Sequence, residues 1–408
     1  MKIAGIIAEY NPFHLGHAYH IEATRRMGYS HIVCILSGPF VQRGDLSVAS
    51  KWARTAMALQ CGADLVIELP LPFALAPAER FARSGVALLE GLGCVDAISF
   101  GSETGRLEPL YSAADLLDGG KLDDEIRSGL AQGLSYAAAR QRAAAAAGDK
   151  EATGCLSRPN DILGVEYLRA LRRMDSRIRP VCVGRRGAGH DGKEARDGVA
   201  SASYLRSLWR CNSAAGEGYL PLACRKILQE EAEAGRFPVF LEGLEPALMG
   251  LLRSASKEQI AVLPDLSEGL ENRLWKAIRE GLSLQDIFAL AQTKRYPLAR
   301  IRRLCLNLAL GVTRQDWHSS PAYLRVLGFG PRGKELLRRA KAAASLPVVF
   351  GAGDIVGLPP DAARQYAIEC RAADLYTLGY ASRLPCGSDQ RHKLVVIDFN
   401  ELKQEAGR

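Results

Sequence analysis

Short apolar runs alternate with helical patterns through the first half of the chain. Lys2–Ala8, His31–Leu36, Asp64–Leu69, Ala97–Phe100 and Pro180–Val183 are apolar stretches of strand length, the pattern of strands buried on both faces. Between them, His17–Met27, Val48–Gln60, Ala78–Glu90 and Asp161–Arg173 carry apolar residues at helical spacing. Strands separated by helices of this length need crossover connections. The spacing therefore predicts an α/β fold with a parallel sheet, whose ligands bind at the carboxyl ends of the strands. Alanine-rich Asp123–Ala147 predicts a helical insertion on the surface, and polar Gly148–Ser157 a loop. From about Cys211 the pattern turns helical: Leu222–Glu233, Leu244–Leu252, Glu268–Gly281, Leu284–Ala291, Leu298–Leu310 and Gly333–Ala344. Two short apolar runs, Pro347–Phe350 and Leu394–Phe399, have strand character. The change of pattern predicts an α/β domain over 1–212 and a mostly α-helical, basic domain over 213–408.

Composition narrows the class. With 48% hydrophobic and 24% charged residues among 408, the chain has ample core, and wholesale disorder is excluded. No apolar stretch approaches the roughly 18 residues that cross a bilayer. The run Ile3–Ala8 ends at Glu9 and reads as a buried strand rather than a secretion signal, so a cytoplasmic protein without a membrane partner is expected. The ten cysteines include no C-x-x-C, which argues against a zinc ribbon or dithiol redox motif. Charge is uneven. Twelve Lys/Arg fall between Thr293 and Lys341 against two acids, Asp316 and Glu335, an excess larger than the +8 of the whole chain. A polyanionic partner follows from that clustering.

The chemistry is concentrated after the first strand, in Ala8-Glu9-Tyr10-Asn11-Pro12-Phe13-His14-Leu15-Gly16-His17. A helix opening there offers free N–H groups and a positive dipole end to phosphate. Gly16 lets a nucleotide approach the backbone. His14 and His17 are placed to aim ring N–H donors at an α-phosphate as it becomes five-coordinate, and are the candidate catalytic pair. Their other uses are helix capping or metal ligation, but only His20 lies near as a third ligand, so no metal site is expected. Val199-Ala200-Ser201-Ala202-Ser203-Tyr204-Leu205-Arg206 is a second candidate cradle: Ser201 and Ser203 as donors and Arg206 as phosphate partner, or an ordinary N-cap. Strand-end positions add Gly101, Asn160 (nucleotide contact or N-cap) and Arg185 (phosphate contact or surface ion pair). Gln42 and Arg43 face the ligand or merely form a connection, with Asp45 as a candidate cap.

Strand, H-x-G-H and helix, with a later Ser-x-Ser-x-x-Arg, resemble the H-I-G-H-type nucleotidyltransferase superfamily, which implies a Rossmann-like sheet. Within it, five blocks are similar to the tRNA(Met) cytidine acetate ligase family: Ala8–His17, Phe40–Gly44, Gly62–Pro70, Ser99–Glu103 and Asn160–Gly164. So is Thr293-Lys294-Arg295-Tyr296 with Arg300 and Arg303. The resemblance covers nearly the full length. It implies an enzyme that uses ATP and acetate to form acetyl-adenylate and then N4-acetylcytidine at the wobble position of elongator tRNA(Met). ATP would be bound by Ile7, Ala8, Glu9, Tyr10, Asn11, Pro12, Phe13, His14, Leu15, Gly16, His17, Ala18, Tyr19 and His20, together with Gly101, Asn160 and Arg185. Two departures stand out: Gly187-Ala188-Gly189-His190-Asp191 lacks an expected tyrosine, which leaves Arg185 and Arg186 as alternatives, and Ser203 replaces a commoner threonine.

Adenylation needs donors on the α-phosphate and Mg²⁺ across the terminal phosphates, held mainly by the substrate. Lys294, Arg295, Arg300 and Arg303 are the candidate RNA contacts, with Arg302 beside them and Tyr296 and Trp317 as candidate stacking residues; no protein partner is predicted. Two other readings stay open. One is a small-molecule adenylyltransferase, in which the basic half has no obvious task. The other is a nucleotide-dependent RNA-binding factor without turnover.

Overall fold

Ile3–Ala8 (β1) sits in the middle of the sheet because the chain builds outward from it in two directions. A computed structural model describes residues 1–120, 122–185, 198–212, 215–267 and 269–398. His31–Ser37 (β2) pairs with β1 in parallel, Ile3 opposite His31 and Ala8 opposite Leu36. Phe40–Val41 (β3) and Asp45–Leu46 (β4) make a small antiparallel ladder of their own, and Leu65–Leu69 (β5) then extends the sheet beyond β2. Ala97–Ser102 (β6) returns to the other side of β1, followed outward by Arg179–Gly184 (β7). The parallel order is therefore β5-β2-β1-β6-β7. The direction of winding reverses at β1 and β6, and the crevice at their carboxyl ends is where such sheets take ligands. Helices cover both faces: Ala78–Gly91 and Pro159–Arg173 on one, Leu15–Arg26 and Lys51–Gln60 on the other, each sealing its own apolar core.

The five expected strands and the helices between them are all present, with ends shifted by a few residues. The Asp123–Ala147 insertion is helical, as two helices, Asp123–Ala131 and Tyr136–Ala146. The Gly148–Ser157 segment differs from the expected loop: it contains a helix, Lys150–Cys155, capped by Asp149.

The larger difference is in the second half. Leu324–Phe329 (β8) pairs antiparallel with β5 and carries Val348–Val349 (β9) and Val395–Val396 (β10) in parallel. Sheet therefore continues past residue 212, although helices predominate there. An 18-residue helix, Pro360–Thr377, was likewise not expected. The helical core of Leu248, Leu274, Ile287, Ile301, Leu304 and Ile368 also takes in Phe40, Leu46 and Leu71, so apolar packing runs across the boundary.

An ion cluster joins the halves as well. Lys51 Nζ donates to Glu68 and Asp389 at 2.8 and 3.0 Å. Arg325, on β8, pairs with Glu68, Glu369 and Asp389 at 3.0, 3.2 and 2.8 Å. All five side chains are buried. Arg325, counted in the basic window, is thus a core ion-pair partner and not a surface charge. Three carboxylates face two cations in the cluster. Burial, with Glu68 adding to it, pushes Glu369 up to about 8, while Lys51 and Arg325 outweigh burial at Asp389 and hold it at about 2. Among the described residues, no helix is long and apolar enough to cross a membrane.

Candidate active site

At the switch point between β1 and β6 lies a cavity of about 590 Å³, within the size range of small-molecule and cofactor sites. The turn leaving β1 shapes one wall. Tyr10 holds a left-handed φ of 46°, a strained conformation for a bulky residue. Its ring is buried, with the hydroxyl 3.4 Å from Cys34 Sγ. Asn11 is spent on structure: its side chain donates to Leu46 O and accepts from Val48 N. Phe13 is core.

The helix Leu15–Arg26 then opens on the two histidines. His14 Nδ1 accepts from Gly16 N at 3.0 Å, and His17 Nδ1 accepts from His14 N at 3.3 Å. The rings stack with centroids 3.8 Å apart. A neutral imidazole whose Nδ1 accepts carries its proton on Nε2, so a ring that caps in this way donates through Nε2. Capping and donation are therefore compatible uses of the same pair. A Cβ on Gly16 would meet His14 Cε1 at 2.8 Å, which is why this position suits glycine.

Of the stretch read as ATP-binding, Ile7, Ala8, Glu9, Tyr10, Asn11, His14, Gly16, His17, Tyr19 and His20 line the cavity; Pro12, Phe13, Leu15 and Ala18 do not. His20 is tucked in with Nε2 2.9 Å from Ser99 Oγ. Burial, assisted by Arg185, lowers its pKa to about 4, so it is neutral. Gly101, Asn160 and Arg185 form the opposite wall. Asn160 does not cap its helix. Glu103 does, accepting from Asp161 N at 2.9 Å, while Asn160 Nδ2 donates to Glu103 Oε1 and its Oδ1 accepts from Arg185. Arg186 and Gly187–Asp191 lie outside the described residues.

From the second candidate cradle, Val199–Arg206, Ser201 and Arg206 reach the cavity and Ser203 does not. Ser201 caps its helix by accepting from Tyr204 N, and Ser203 Oγ lies 3.0 Å from Ser201 Oγ. Arg206 Nη1 donates to Asn11 O at 2.6 Å, tying this segment to the first turn. A smaller cavity of about 240 Å³ is lined by Trp52, Tyr376, Tyr380 and His392, but its Lys51 and Asp389 are already committed to the ion cluster.

The candidate RNA residues separate. Lys294 and Arg295 are exposed. Arg300 is tied to Asp265, with Nη2 2.6 Å from the carbonyl. Tyr296 is buried, so it is core rather than a stacking platform. Arg303, with Arg302, lines the cavity itself. A Cβ on Gly44 (φ +69°) would stand 2.6 Å from Arg302 Cβ and 2.7 Å from Arg303 N, which shows how closely the β3–β4 turn packs on helix Leu298–Leu310. The Nε atoms of Arg302 and Arg303 are buried without a hydrogen-bond partner. Among the described lining residues, five arginines (43, 185, 206, 302 and 303) face two carboxylates, Glu9 and Asp45. Such a balance favours a polyanionic ligand.

Comparison with known proteins agrees with this geometry. The family described as HIGH Nucleotidyl Transferase matches residues 1–390. The tRNA(Met) cytidine acetate ligase of Acetivibrio thermocellus is 39% identical over 396 residues, covering 93% of this chain and 95% of that one. Its counterpart in Caldanaerobacter subterraneus subsp. tengcongensis is 37% identical, covering 97% of this chain and all of the other. The chain belongs to the tRNA(Met) cytidine acetate ligase family of HIGH nucleotidyl transferases. Two crystal structures of Thermotoga maritima TmcAL superpose on nearly the whole chain. The apo form has a TM-score of 0.91 at 31% identity, covering 98% of this chain and 100% of that one. The form bound with alpha-thio ATP has 0.89 at 30% identity, covering 97% and 100%.

Within this HIGH nucleotidyl transferase, sequence reasoning left several cavity residues unassigned. Phe81 and Tyr167 reach it from helices whose apolar pattern reads only as core. Gln42 and Arg43, which the sequence leaves open between ligand and connection, line the cavity, and so does Asp45, which it offers as a helix cap. Asp45 is no helix cap; Ser50 caps Lys51–Gln60.

Proposed function

We propose that this protein acetylates N4 of the wobble cytidine of elongator tRNA(Met), activating acetate with ATP as acetyl-adenylate and releasing pyrophosphate before transfer. The observation that carries the reading is the arginine-rich cavity at the switch point, lined by the two imidazoles of a helix N-terminus. Supporting it are the names of the relatives and the nucleotide analogue in the Thermotoga maritima protein.

In this reading acetate oxygen attacks the α-phosphorus in line with the leaving pyrophosphate. His14 and His17 donate to the oxygens on which charge builds, and the arginines hold the triphosphate. Mg²⁺ would supply charge neutralisation across the terminal phosphates. In this reading the Mg²⁺ is held mainly by the substrate phosphates; among the described residues no group of three His, Cys, Asp or Glu is placed to hold a metal ion. The half beyond residue 212 would meet the tRNA through Lys294 and Arg295, and bring Arg302 and Arg303 to the cavity mouth.

The test is incubation of the full chain with ATP, Mg²⁺, acetate and unmodified elongator tRNA(Met), followed by nucleoside mass analysis. Acetate- and ATP-dependent appearance of N4-acetylcytidine supports the reading. Adenylylation of a small phosphorylated acceptor instead, or nucleotide and RNA binding without product, would replace it with one of the two alternatives.

A further inference from the structure

Glu9 stands at the carboxyl end of β1 and lines the cavity. Its Oε1 accepts the N–H of Gln42 at 2.8 Å. The carbonyl of that same residue accepts Arg303 Nη1 at 3.2 Å. Gln42 of the β3–β4 turn thus links an acid of the nucleotide half to an arginine that lies 261 positions beyond Gln42 itself. Behind Glu9, Arg54 Nη1 donates to its backbone carbonyl at 2.6 Å and to Ser37 O at 2.9 Å, so the strand ends below the carboxylate are fastened.

The proposed reaction leaves one proton without an acceptor. When the cytidine amine is acylated, N4 must lose a proton, and an exocyclic amine of this kind is a weak nucleophile until it does. The histidines are poor candidates, since the Nδ1 of each already accepts a backbone N–H. His20 is held by Ser99. Asp45 accepts from Leu46 N and faces Arg302. Glu9 remains among the described lining carboxylates. Arg43 faces it from the β3–β4 turn, Arg206 from helix Ala202–Cys211, Arg54 from helix Lys51–Gln60 and Tyr167 from helix Pro159–Arg173. Burial raises its pKa, and the Gln42 N–H and the three arginines pull it back. A carboxyl with a raised pKa is a stronger proton acceptor than an exposed one.

We propose that Glu9 accepts the N4 proton of the cytidine during acetyl transfer, and that Arg303 is a positioning residue that acts on it through Gln42. This role rests on the function proposed above. In the step, the N4 lone pair forms the new N–C bond at the acetyl carbonyl. The bond from that carbon to the phosphate oxygen breaks with its electron pair, which leaves on AMP. The N4 proton moves to the Glu9 carboxylate and from there to solvent. No other reactant is consumed.

The test uses the full chain, ATP, Mg²⁺, acetate and tRNA, with two readouts: acetate-dependent ATP–pyrophosphate exchange, and single-turnover transfer from enzyme-bound acetyl-adenylate at a series of pH values. Glu9→Gln keeps the shape and the Gln42 contact but cannot take a proton. It should slow transfer by roughly a hundredfold, well beyond its effect on exchange, and remove the acid limb of the transfer profile. Arg303→Ala should slow transfer at saturating tRNA by about tenfold, with partial recovery in Arg303→Lys. Equal losses of exchange and transfer in Glu9→Gln, or an acid limb that persists, would overturn the role of Glu9. An Arg303 effect confined to KM for tRNA would overturn positioning. Absence of acetate-dependent exchange in the unmutated protein would remove the reaction itself, a failure separate from either.

Discussion

The imidazoles of His14 and His17 stack with centroids 3.8 Å apart and 27° between their planes, and each Nδ1 is held by a backbone N–H of the same turn. The pair is preorganised: both rings are already oriented by the turn, as the donor role proposed for them towards a developing phosphate charge requires.

His17→Ala should therefore lower acetate-dependent ATP–pyrophosphate exchange by about 10²–10³-fold, the usual cost of one such donor. Losing the His17 half of the cap should cost only about 1 kcal/mol of stability. Exchange measured alongside thermal unfolding separates the two effects; an exchange loss matched by general unfolding would show a capping role alone.

Gly44 tests the contact between the turn and helix Leu298–Leu310. Gly44→Ala adds a Cβ at φ +69° and drives it against Arg302 and Arg303. Stability should fall by about 1–3 kcal/mol in urea unfolding, the scale of a strained non-glycine residue. KM for ATP should rise as Gln42 and Arg43 shift.

Glu369 gives the fold a pH dependence with a defined sign. Its folded pKa, about 8, lies above the ordinary value of 4.5. Between those values the folded state holds a proton that the unfolded state has lost, so stability falls as pH rises and levels off above about pH 8. Asp389 works in the opposite sense, but only between its folded value of about 2 and 3.8, well below that window. His20, lowered to about 4 from 6.5, also opposes Glu369, but only up to about pH 6.5. Urea unfolding from about pH 6.5 to about 8 should therefore show a decline that Glu369→Gln flattens. Parallel curves for the two proteins would contradict the assignment.

Lys294 and Arg295 are the exposed members of the Thr293–Tyr296 block. Replacing both with alanine should weaken tRNA binding and lower the slope of log K against log salt by roughly 1–2, as expected for two lost phosphate contacts. Unfolding should be nearly unchanged, because neither side chain is buried. Filter binding at several salt concentrations measures both.

What could be read from the residues was local. Ile3–Ala8, the turn and His14-x-Gly-His17 are consecutive, so a strand, a turn and a capped helix could be inferred from one stretch. Leu324–Phe329 was missed because Arg325 makes the strand look like part of a basic surface, and only its three distant acid partners hide that charge. Helix Pro360–Thr377 was missed for a related reason: Gln365 and Glu369 are buried among its apolar residues and blur the periodicity. Arg302 and Arg303 looked like RNA contacts on a helix surface. Their place on the cavity wall depends on a turn more than 250 residues earlier, which no local pattern encodes. Tyr296, read as a stacking candidate, is instead buried in the apolar core that also takes in Phe40, Leu46 and Leu71.

The activation of acetate at the β1–β6 crevice is tested most directly by exchange of labelled pyrophosphate into ATP, with the full chain and Mg²⁺, in the presence and absence of acetate. Label should enter ATP only when acetate is supplied, with no requirement for tRNA. Exchange that ignores acetate, or no exchange at any acetate concentration while ATP is bound, would contradict the account.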